Sequence, residues 1–236
     1  MTSDDPVVIA GMARTPMGGF QGDFKDVAAT ELGSAAIRAA IERSGLSAEM
    51  VGEVLMGCVL PAGQGQAPAR QAALGAGLPY DCGAATINKV CGSGMKAAMI
   101  GHDEIFSGSQ SVVVAGGMES MTNAPYLLKR ARSGYRMGHG AIHDHMFLDG
   151  LEDAYDRGRS MGTFAEECAE AYQFTRDAQD HYAIASLDKA KHAVDGGFFD
   201  AETVIFQVQS GKASREIRRD EQPGKADPAR IPSLKP

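Results

Sequence analysis

Short apolar runs alternate with longer amphipathic stretches through the first half of the chain. Four apolar runs predict the strands of a covered sheet, at residues 7–10, 51–59, 84–90 and 112–115. Between them, helices are predicted at residues 27–43, ended by Gly45, and at residues 66–74, with Pro68 near the first turn. Strands that alternate with helices in this way predict an α/β fold with a mostly parallel sheet.

The helix predicted after residue 91 is the element around which the chain is organised. Its apolar positions recur at helical spacing and predict a buried stripe made of Met95, Ala98, Met99, His102, Ile105 and Phe106. Cys91 stands at the start of this helix, where unpaired backbone N–H groups favour a thiolate. Gly92 and Gly94 would let a substrate carbonyl approach the backbone closely.

The second half of the chain has a different character. Residues 118–159 show no sustained periodicity, which indicates a long functional or interface loop region. Helices are predicted at residues 162–172 and 176–192, and a strand at residues 202–209. From Ser210 the chain is polar and rich in proline, so we predict no further helix or strand there.

Composition limits the classes of function. A chain of 236 residues with 44% hydrophobic content can bury a large core, and a net charge of −7 argues against nucleic-acid binding. Residues 1–6 do not resemble a signal peptide and no apolar run has membrane-spanning length, so we expect a cytoplasmic protein without a membrane partner. The four cysteines contain no Cys-x-x-Cys pair, and we interpret Cys58, Cys82 and Cys168 as structural.

Three segments resemble thiolases: residues 87–96 around Cys91, residues 114–126, and Met161-Gly162-Thr163 followed by Ala165-Glu166. The resemblance runs throughout the chain and is strongest to the acetyl-CoA acetyltransferases of that family, partly through residues 132–136 and 149–151. It implies an α/β, thiolase-like layered fold, in which the chain is the first βαβαβ half of an αβαβα sandwich with an inserted α-rich loop domain.

The resemblance also implies that two parts of the chain have different roles. Residues 1–117 would be the core half that carries the nucleophile, and residues 118–236 the loop domain for coenzyme A binding and oligomerisation, with the C-terminal half absent. The protein would be a homo-oligomer, a dimer or a tetramer. Its substrates would be acetyl-CoA, other acyl-CoA thioesters and coenzyme A, and it would use no metal and no other cofactor. The reaction would belong to fatty acid metabolism.

The reaction implied is acyl transfer through an acyl-thioester intermediate. Cys91 would take an acyl group from acyl-CoA, and a second acetyl-CoA, deprotonated at its α carbon, would attack that thioester; thiolysis is the reverse. The backbone N–H of Cys91 would belong to an oxyanion hole, and Met161 would line the acyl pocket. Ser160, also assigned to substrate binding, stands where many relatives have histidine, and the sequence does not decide whether this changes hydrogen bonding in the pocket.

The chain also departs from the family pattern. Thiolases also have a Gly-His-Pro segment whose histidine activates the nucleophile, a Cys-x-Gly-x-Gly segment whose cysteine is an acid/base group, and an Asn-Glu-Ala-Phe segment. None of these has a match here, and Gly138-His139-Gly140 is no substitute. We therefore expect this chain alone to be inactive. The alternative is a non-catalytic thiolase-fold module for acyl binding or assembly. A cysteine hydrolase or redox protein explains less of the sequence, and a ketoacyl-synthase-type condensing enzyme is the nearest catalytic rival.

Two polar groups of the loop region have competing interpretations. Imidazole and carboxylate groups suit metal ions, but a flexible polar loop better explains His139, His143, Asp144, His145 and Asp149. The basic run at residues 129–132 could attract coenzyme A phosphates or form a solvated face, and the sequence does not decide between these.

Overall fold

The computed structural model of the chain describes residues 6–211 and 213–235, with the side chain of Ser210 left out. Residues 1–5, part of the segment that argues against a signal peptide, and Pro236 lie outside this description. Among the described helices, none combines the length and the hydropathy needed to cross a bilayer.

A three-stranded parallel sheet forms the centre of the first half. Its strands are β1 (Glu53–Gly57), β2 (Gly83–Ile87) and β3 (Val113–Gly117), in the order β2-β1-β3. The central strand is apolar because it is covered on both faces, and Val54, Leu55 and Met56 are all buried. The parallel α/β architecture predicted from the alternating pattern is thus confirmed.

Three helices cover this sheet: α1 (Ala29–Ser44), α2 (Pro68–Ala76) and α3 (Ser93–Phe106). Gly45 ends α1 in a left-handed conformation, with φ of 71°, as the sequence predicts. Where α1 and α2 meet, a Cβ added to Gly33 would lie 3.2 Å from the Cβ of Ala72, so the two helices approach closely. The main core lies between α1, α2 and the sheet.

The strand predicted at residues 7–10 is wrong. These residues form no strand in the described structure, and Val8 and Ile9 are 71% and 88% exposed. An apolar run becomes a strand only where a neighbour completes its hydrogen-bond ladder, and no described strand pairs with this one. A single parallel bridge joins Arg14, a few residues later, to Thr203.

The prediction that the apolar stripe of α3 is buried is also wrong. The face against the sheet consists of small residues, Ser93, Ala97 and Gly101, because a Cβ on Gly101 would already lie 3.0 Å from Val113. Most of the large stripe points away from the sheet, so that Met95 and Met99 are 74% and 53% exposed. The helical spacing correctly groups these apolar residues on one face of α3, but it does not show that the opposite face packs against the sheet.

The second half begins with short elements. An antiparallel pair, β4 (Tyr126–Leu128) and β5 (Ile142–Asp144), is followed by a π-helical turn at Phe147–Leu151. The two predicted helices are confirmed as α4 (Met161–Ala171) and α5 (Arg176–Asp195). None of the described residues of α4 is buried.

The end of the chain contains more structure than its polarity predicts. A hairpin of β6 (Phe206–Ser210) and β7 (Ala213–Ile217) is followed by a short helix, α6 (Glu221–Lys225), and a 3₁₀ turn at Pro228–Ser233. The prediction of no strand or helix after Ser210 is therefore wrong. The burial pattern of β7 explains the error, since only its last residue, Ile217, is buried.

Contacts cross the boundary that we predicted after residue 117. Ile217 and Val208 form a second small core with Phe24 and Val27. Polar contacts reinforce it through Asp220 and Glu221, which we name the carboxylate clamp. Asp220 accepts two hydrogen bonds from the Arg14 guanidinium, at 2.7 and 3.1 Å.

Candidate active site

Cys91 lies on a strained turn between β2 and α3. Val90, the residue before it, has φ of 48°, which a β-branched side chain rarely adopts. Two polar side chains hold this backbone: Asn88 Oδ1 accepts from Val90 N at 2.9 Å, and Ser93 Oγ accepts from Lys89 N at 2.9 Å. The Ser93 hydroxyl also donates to Val90 O at 2.5 Å. Strain that the surroundings hold in this way is typical of functional sites.

Glycines let this turn sit directly against the sheet. A Cβ on Gly57, the last residue of β1, would lie 2.7 Å from Ser93 Cβ and 2.8 Å from Gly94 N. Gly117, the last residue of β3, would place a Cβ 3.7 Å from Gly94 Cα. The start of α3 therefore packs backbone to backbone on the carboxyl ends of two strands, the edge where open parallel sheets bind their ligands.

The turn leaves Cys91 exposed and does not use its backbone N–H. Neighbouring N–H groups are used within the turn, since Gly92 N donates to Lys89 O and Ser93 N to Val90 O, both at 3.1 Å. Among residues 6–211 and 213–235, no backbone or side-chain acceptor bonds the Cys91 N–H. That group can therefore donate to an incoming oxygen.

The other three cysteines occupy different environments. Cys58 is buried, and its Sγ lies 3.5 Å from Glu119 Oε1. Burial, together with the charge of Glu119, raises the pKa of the Cys58 thiol to about 11. Burial likewise raises the pKa of Cys82. Cys168 is exposed on α4, so the structure supports a purely structural interpretation for Cys58 and Cys82 only.

Glu119 organises the loops beside the turn. Its carboxylate accepts from Val59 N at 2.7 Å and from Leu60 N at 3.1 Å, and so ties the loop after β3 to the loop after β1. Glu119, Val90 and Ser93 lie in segments that resemble thiolases, but the sequence alone assigns them no role. Only their place in these motifs marks them in the sequence, because their contacts are seen only in the folded chain.

Ser160 and Met161 lie together at the start of α4. Ser160 is the N-cap residue, and it pairs with Glu152 in an isolated antiparallel bridge. Met161 is the first residue of the helix and is exposed. No hydrogen bond joins either residue to the Cys91 turn within the part of the chain that the structure describes.

His145 is the one histidine of the loop region with a buried side chain among the described residues. Its Nδ1 lies 2.6 Å from Asp149 Oδ2, and its Nε2 accepts from Ala62 N at 3.4 Å. These contacts connect the loop after β1 to the π-helical turn. The described residues hold no group of three His, Cys, Asp or Glu side chains arranged for a metal ion.

An exposed cysteine on a strained strand-to-helix turn, at the carboxyl edge of a parallel sheet, is the arrangement of α/β enzymes that act through a nucleophile. The model of the family described as "Thiolase, N-terminal domain" matches residues 7–236. The chain belongs to the thiolase family.

Its relatives include acetyl-CoA acetyltransferase 2 of Arabidopsis thaliana, 49% identical over 232 residues, which are 98% of this chain and 57% of the relative. Acetyl-CoA acetyltransferase of Cupriavidus necator is 50% identical over 206 residues, 87% of this chain and 52% of the relative. The mitochondrial acetyl-CoA acetyltransferase A of Xenopus laevis is 46% identical over 230 residues, 97% and 54% of the two chains. The chain thus spans about half the length of these relatives.

Proposed function

We propose that this chain supplies the nucleophile of an acetyl-CoA acetyltransferase, an enzyme that forms or cleaves acetoacetyl-CoA and related 3-ketoacyl-CoA thioesters. The observation that carries the proposal is the Cys91 turn: an exposed thiol, a strained Val90 and a Cys91 N–H available to an oxygen. The names of the relatives support the same reaction class.

In the proposed reaction, the Cys91 thiolate attacks the thioester carbonyl of acyl-CoA. The carbonyl oxygen gains negative charge and accepts from the Cys91 N–H, as in an oxyanion hole. The carbon–sulfur bond to coenzyme A then breaks, leaving an acyl group on Cys91 and coenzyme A as its thiolate. In the second half-reaction the α carbanion of acetyl-CoA attacks the acyl-Cys91 carbonyl and releases the Cys91 thiolate. Thiolysis runs these steps backwards.

The start of α4 is assigned to the acyl pocket in this proposal. Met161 would contact the acyl chain, and Ser160 would supply a hydroxyl at its edge. Met161 is exposed and Ser160 is partly exposed, so both can contact a substrate. The division into a core half and a loop domain after residue 117, a homo-oligomeric assembly and a cytoplasmic location are further parts of the proposal.

The test uses the full-length product of the gene that encodes this chain. Thiolysis of acetoacetyl-CoA by coenzyme A is followed in the wild type, in Cys91→Ser and in Cys168→Ser, the last being the matched control because Cys168 is the other exposed thiol. Sulfur is the better nucleophile and leaving group, so we expect Cys91→Ser to lose nearly all turnover and Cys168→Ser to keep it.

Mass spectrometry of the acetyl-CoA-treated wild type should locate an added acetyl group on the peptide that contains Cys91. A loss of less than about tenfold in Cys91→Ser, worth ~1.4 kcal/mol, would contradict covalent catalysis by this residue. Acyl-CoA binding without acetylation or turnover would favour the non-catalytic module instead.

A further inference from the structure

The helix that carries the proposed acyl-pocket residues has few anchors. None of the described residues of α4 is buried, so core packing does not fix where the helix begins. Its start is instead connected to the loop at residues 152–160, which precedes it. The side chain that makes most of this connection is Arg159.

Arg159 contacts three residues in the first two turns of α4. The guanidinium carbon lies 3.8 Å from the centre of the Phe164 ring, a cation–π contact. Its Nε donates to Thr163 Oγ1 at 3.2 Å, and its Nη2 forms an ion pair with Glu167. These contacts leave the Arg159 side chain only 26% exposed, although the helix around it is open to solvent.

The backbone of Arg159 is fixed as well. Its carbonyl accepts from Asp153 N at 2.8 Å, and its own N–H donates to Asp156 O at 3.2 Å. The next residue, Ser160, forms the bridge to Glu152 that closes the loop. Arg159 therefore joins a closed loop on one side to the helix start on the other, with Ser160 and Met161 directly between its two sets of contacts.

The position is electrostatically unusual. A positive side chain just before a helix N-terminus meets the positive end of the macrodipole, which opposes it. The ion pair with Glu167 and the longer approach to Asp156, at 3.8 Å, offset this repulsion. Specific partners thus hold the Arg159 side chain where the helix dipole disfavours it, which indicates that its position at the start of α4 matters.

We propose that Arg159 is a positioning residue that fixes the start of α4 and thereby sets how Ser160 and Met161 meet the acyl group. The inference rests on the proposed function of the chain and adds a specificity determinant to it. Arg159 touches no reacting atom. Its role is to hold the pocket-forming segment in one place, and so to influence which acyl chain lengths are accepted.

Three variants of the full-length gene product test this. Arg159→Met keeps most of the length and an apolar contact with Phe164 but removes the charge, the donors and the cation–π contact. Arg159→Lys keeps the charge and N–H donors without the planar guanidinium fork. The matched control is Arg157→Met, because Arg157 lies in the same loop, is 58% exposed and pairs with Glu152 rather than with α4. Each is assayed with acetoacetyl-CoA and with a longer 3-ketoacyl-CoA, and its Cys91 is alkylated with iodoacetamide.

We expect Arg159→Met to raise KM for acetoacetyl-CoA by about tenfold and to change the preference between the two substrates, since the cation–π contact and ion pair are lost together. Arg159→Lys should recover part of this change, and Arg157→Met should behave as the wild type. Cys91 should be alkylated at the wild-type rate in all three, because iodoacetamide does not use the acyl pocket.

Unchanged KM and substrate preference in Arg159→Met would overturn the inference and leave the proposed function intact. Equal effects in Arg157→Met, or a matching loss of Cys91 alkylation, would show a general disturbance of the fold and would also overturn it. A wild type that never turns over either substrate would remove the proposed function itself, and the role of Arg159 with it.

Discussion

Glu221 of the carboxylate clamp is the group for which the structure allows the most quantitative prediction. Its buried carboxylate accepts from Gly19 N and Asp23 N, both at 2.8 Å, and forms an ion pair with Lys225. Burial raises the pKa of Glu221, but the hydrogen bonds and the lysine charge outweigh it and lower that pKa to about 2.

The pKa determines both the magnitude and the sign of the effect. A carboxyl group that falls from its ordinary pKa of 4.5 to about 2 on folding contributes about 3 kcal/mol, since each pKa unit is worth about 1.4 kcal/mol. Because the folded pKa is the lower one, this contribution is fully present above pH 4.5. It is lost as the pH falls from about 4.5 to about 2.

The perturbation is Glu221→Gln, which keeps the shape and removes the charge. We expect it to lower the free energy of unfolding by about 2–3 kcal/mol at neutral pH and by progressively less below about pH 4. Urea unfolding followed by circular dichroism at several pH values measures this. Glu216→Gln is the matched control, since Glu216 is an exposed carboxylate on β7 paired with exposed Arg218, and it should change stability little.

The reasoning would be refuted if Glu221→Gln were no more destabilising than Glu216→Gln at neutral pH. It would equally fail if the two variants lost stability in parallel between about pH 5 and about pH 3, because the linkage requires the Glu221 variant to show the shallower slope.

Four further predictions concern the Cys91 turn and the chain as a whole. Gly57→Ala should lower the free energy of unfolding by about 1–3 kcal/mol and slow the alkylation of Cys91, since the new Cβ would meet Ser93 and Gly94. Gly116→Ala is the control: its Cβ would meet only the flexible Met56 side chain, at 3.4 Å, so the same urea and labelling assays should show a smaller effect. Ser93→Ala should destabilise the turn by about 1–2 kcal/mol, measured by urea unfolding, because Lys89 N loses its acceptor; an unchanged midpoint would argue against that role. In a brief iodoacetamide pulse followed by peptide mapping, Cys91 should react before Cys168, and the buried Cys58 and Cys82 should stay unlabelled; faster labelling of Cys168 would count against an activated Cys91. Residues 1–236 expressed alone should self-associate through the exposed Met95 and Met99 and should not sustain thiolysis, so a compact monomer with steady turnover would contradict this prediction.

Local signals in the sequence were sufficient for much of the fold. The end of α1 at Gly45 follows from the left-handed conformation that glycine tolerates, and the central strand follows from a continuous apolar run. Both depend on residues close together in the chain. The errors arose where the outcome depends on a distant neighbour, as for residues 7–10, which find no strand to pair with in the described structure.

The same distinction applies to the site. The position of Cys91 directly before a helix could be predicted, because it depends on local signals. The positive φ of Val90 could not be predicted, since a β-branched residue rarely adopts it. The contacts of Glu119 could not either, since they join the loop after β3 to the loop after β1. The buried face of α3 was misassigned for a related reason: only the close approach to Val113 shows that small residues must face the sheet.

The support of the Cys91 turn comes from a short and continuous part of the chain. Asn88 and Ser93 hold the strained backbone from within the turn, and Gly57 and Gly117 provide the surface on which it rests. All of these residues lie between β1 and the end of β3. These contacts of the Cys91 turn therefore come from the parallel sheet and its connections, whereas Glu119, just after β3, holds the neighbouring loop. The segments that carry the acid/base residues in thiolases, by contrast, have no match in this sequence. Under the proposed function, acylation of Cys91 and complete turnover should therefore be separable, and alkylation of Cys91 would measure only the reactivity of its thiol.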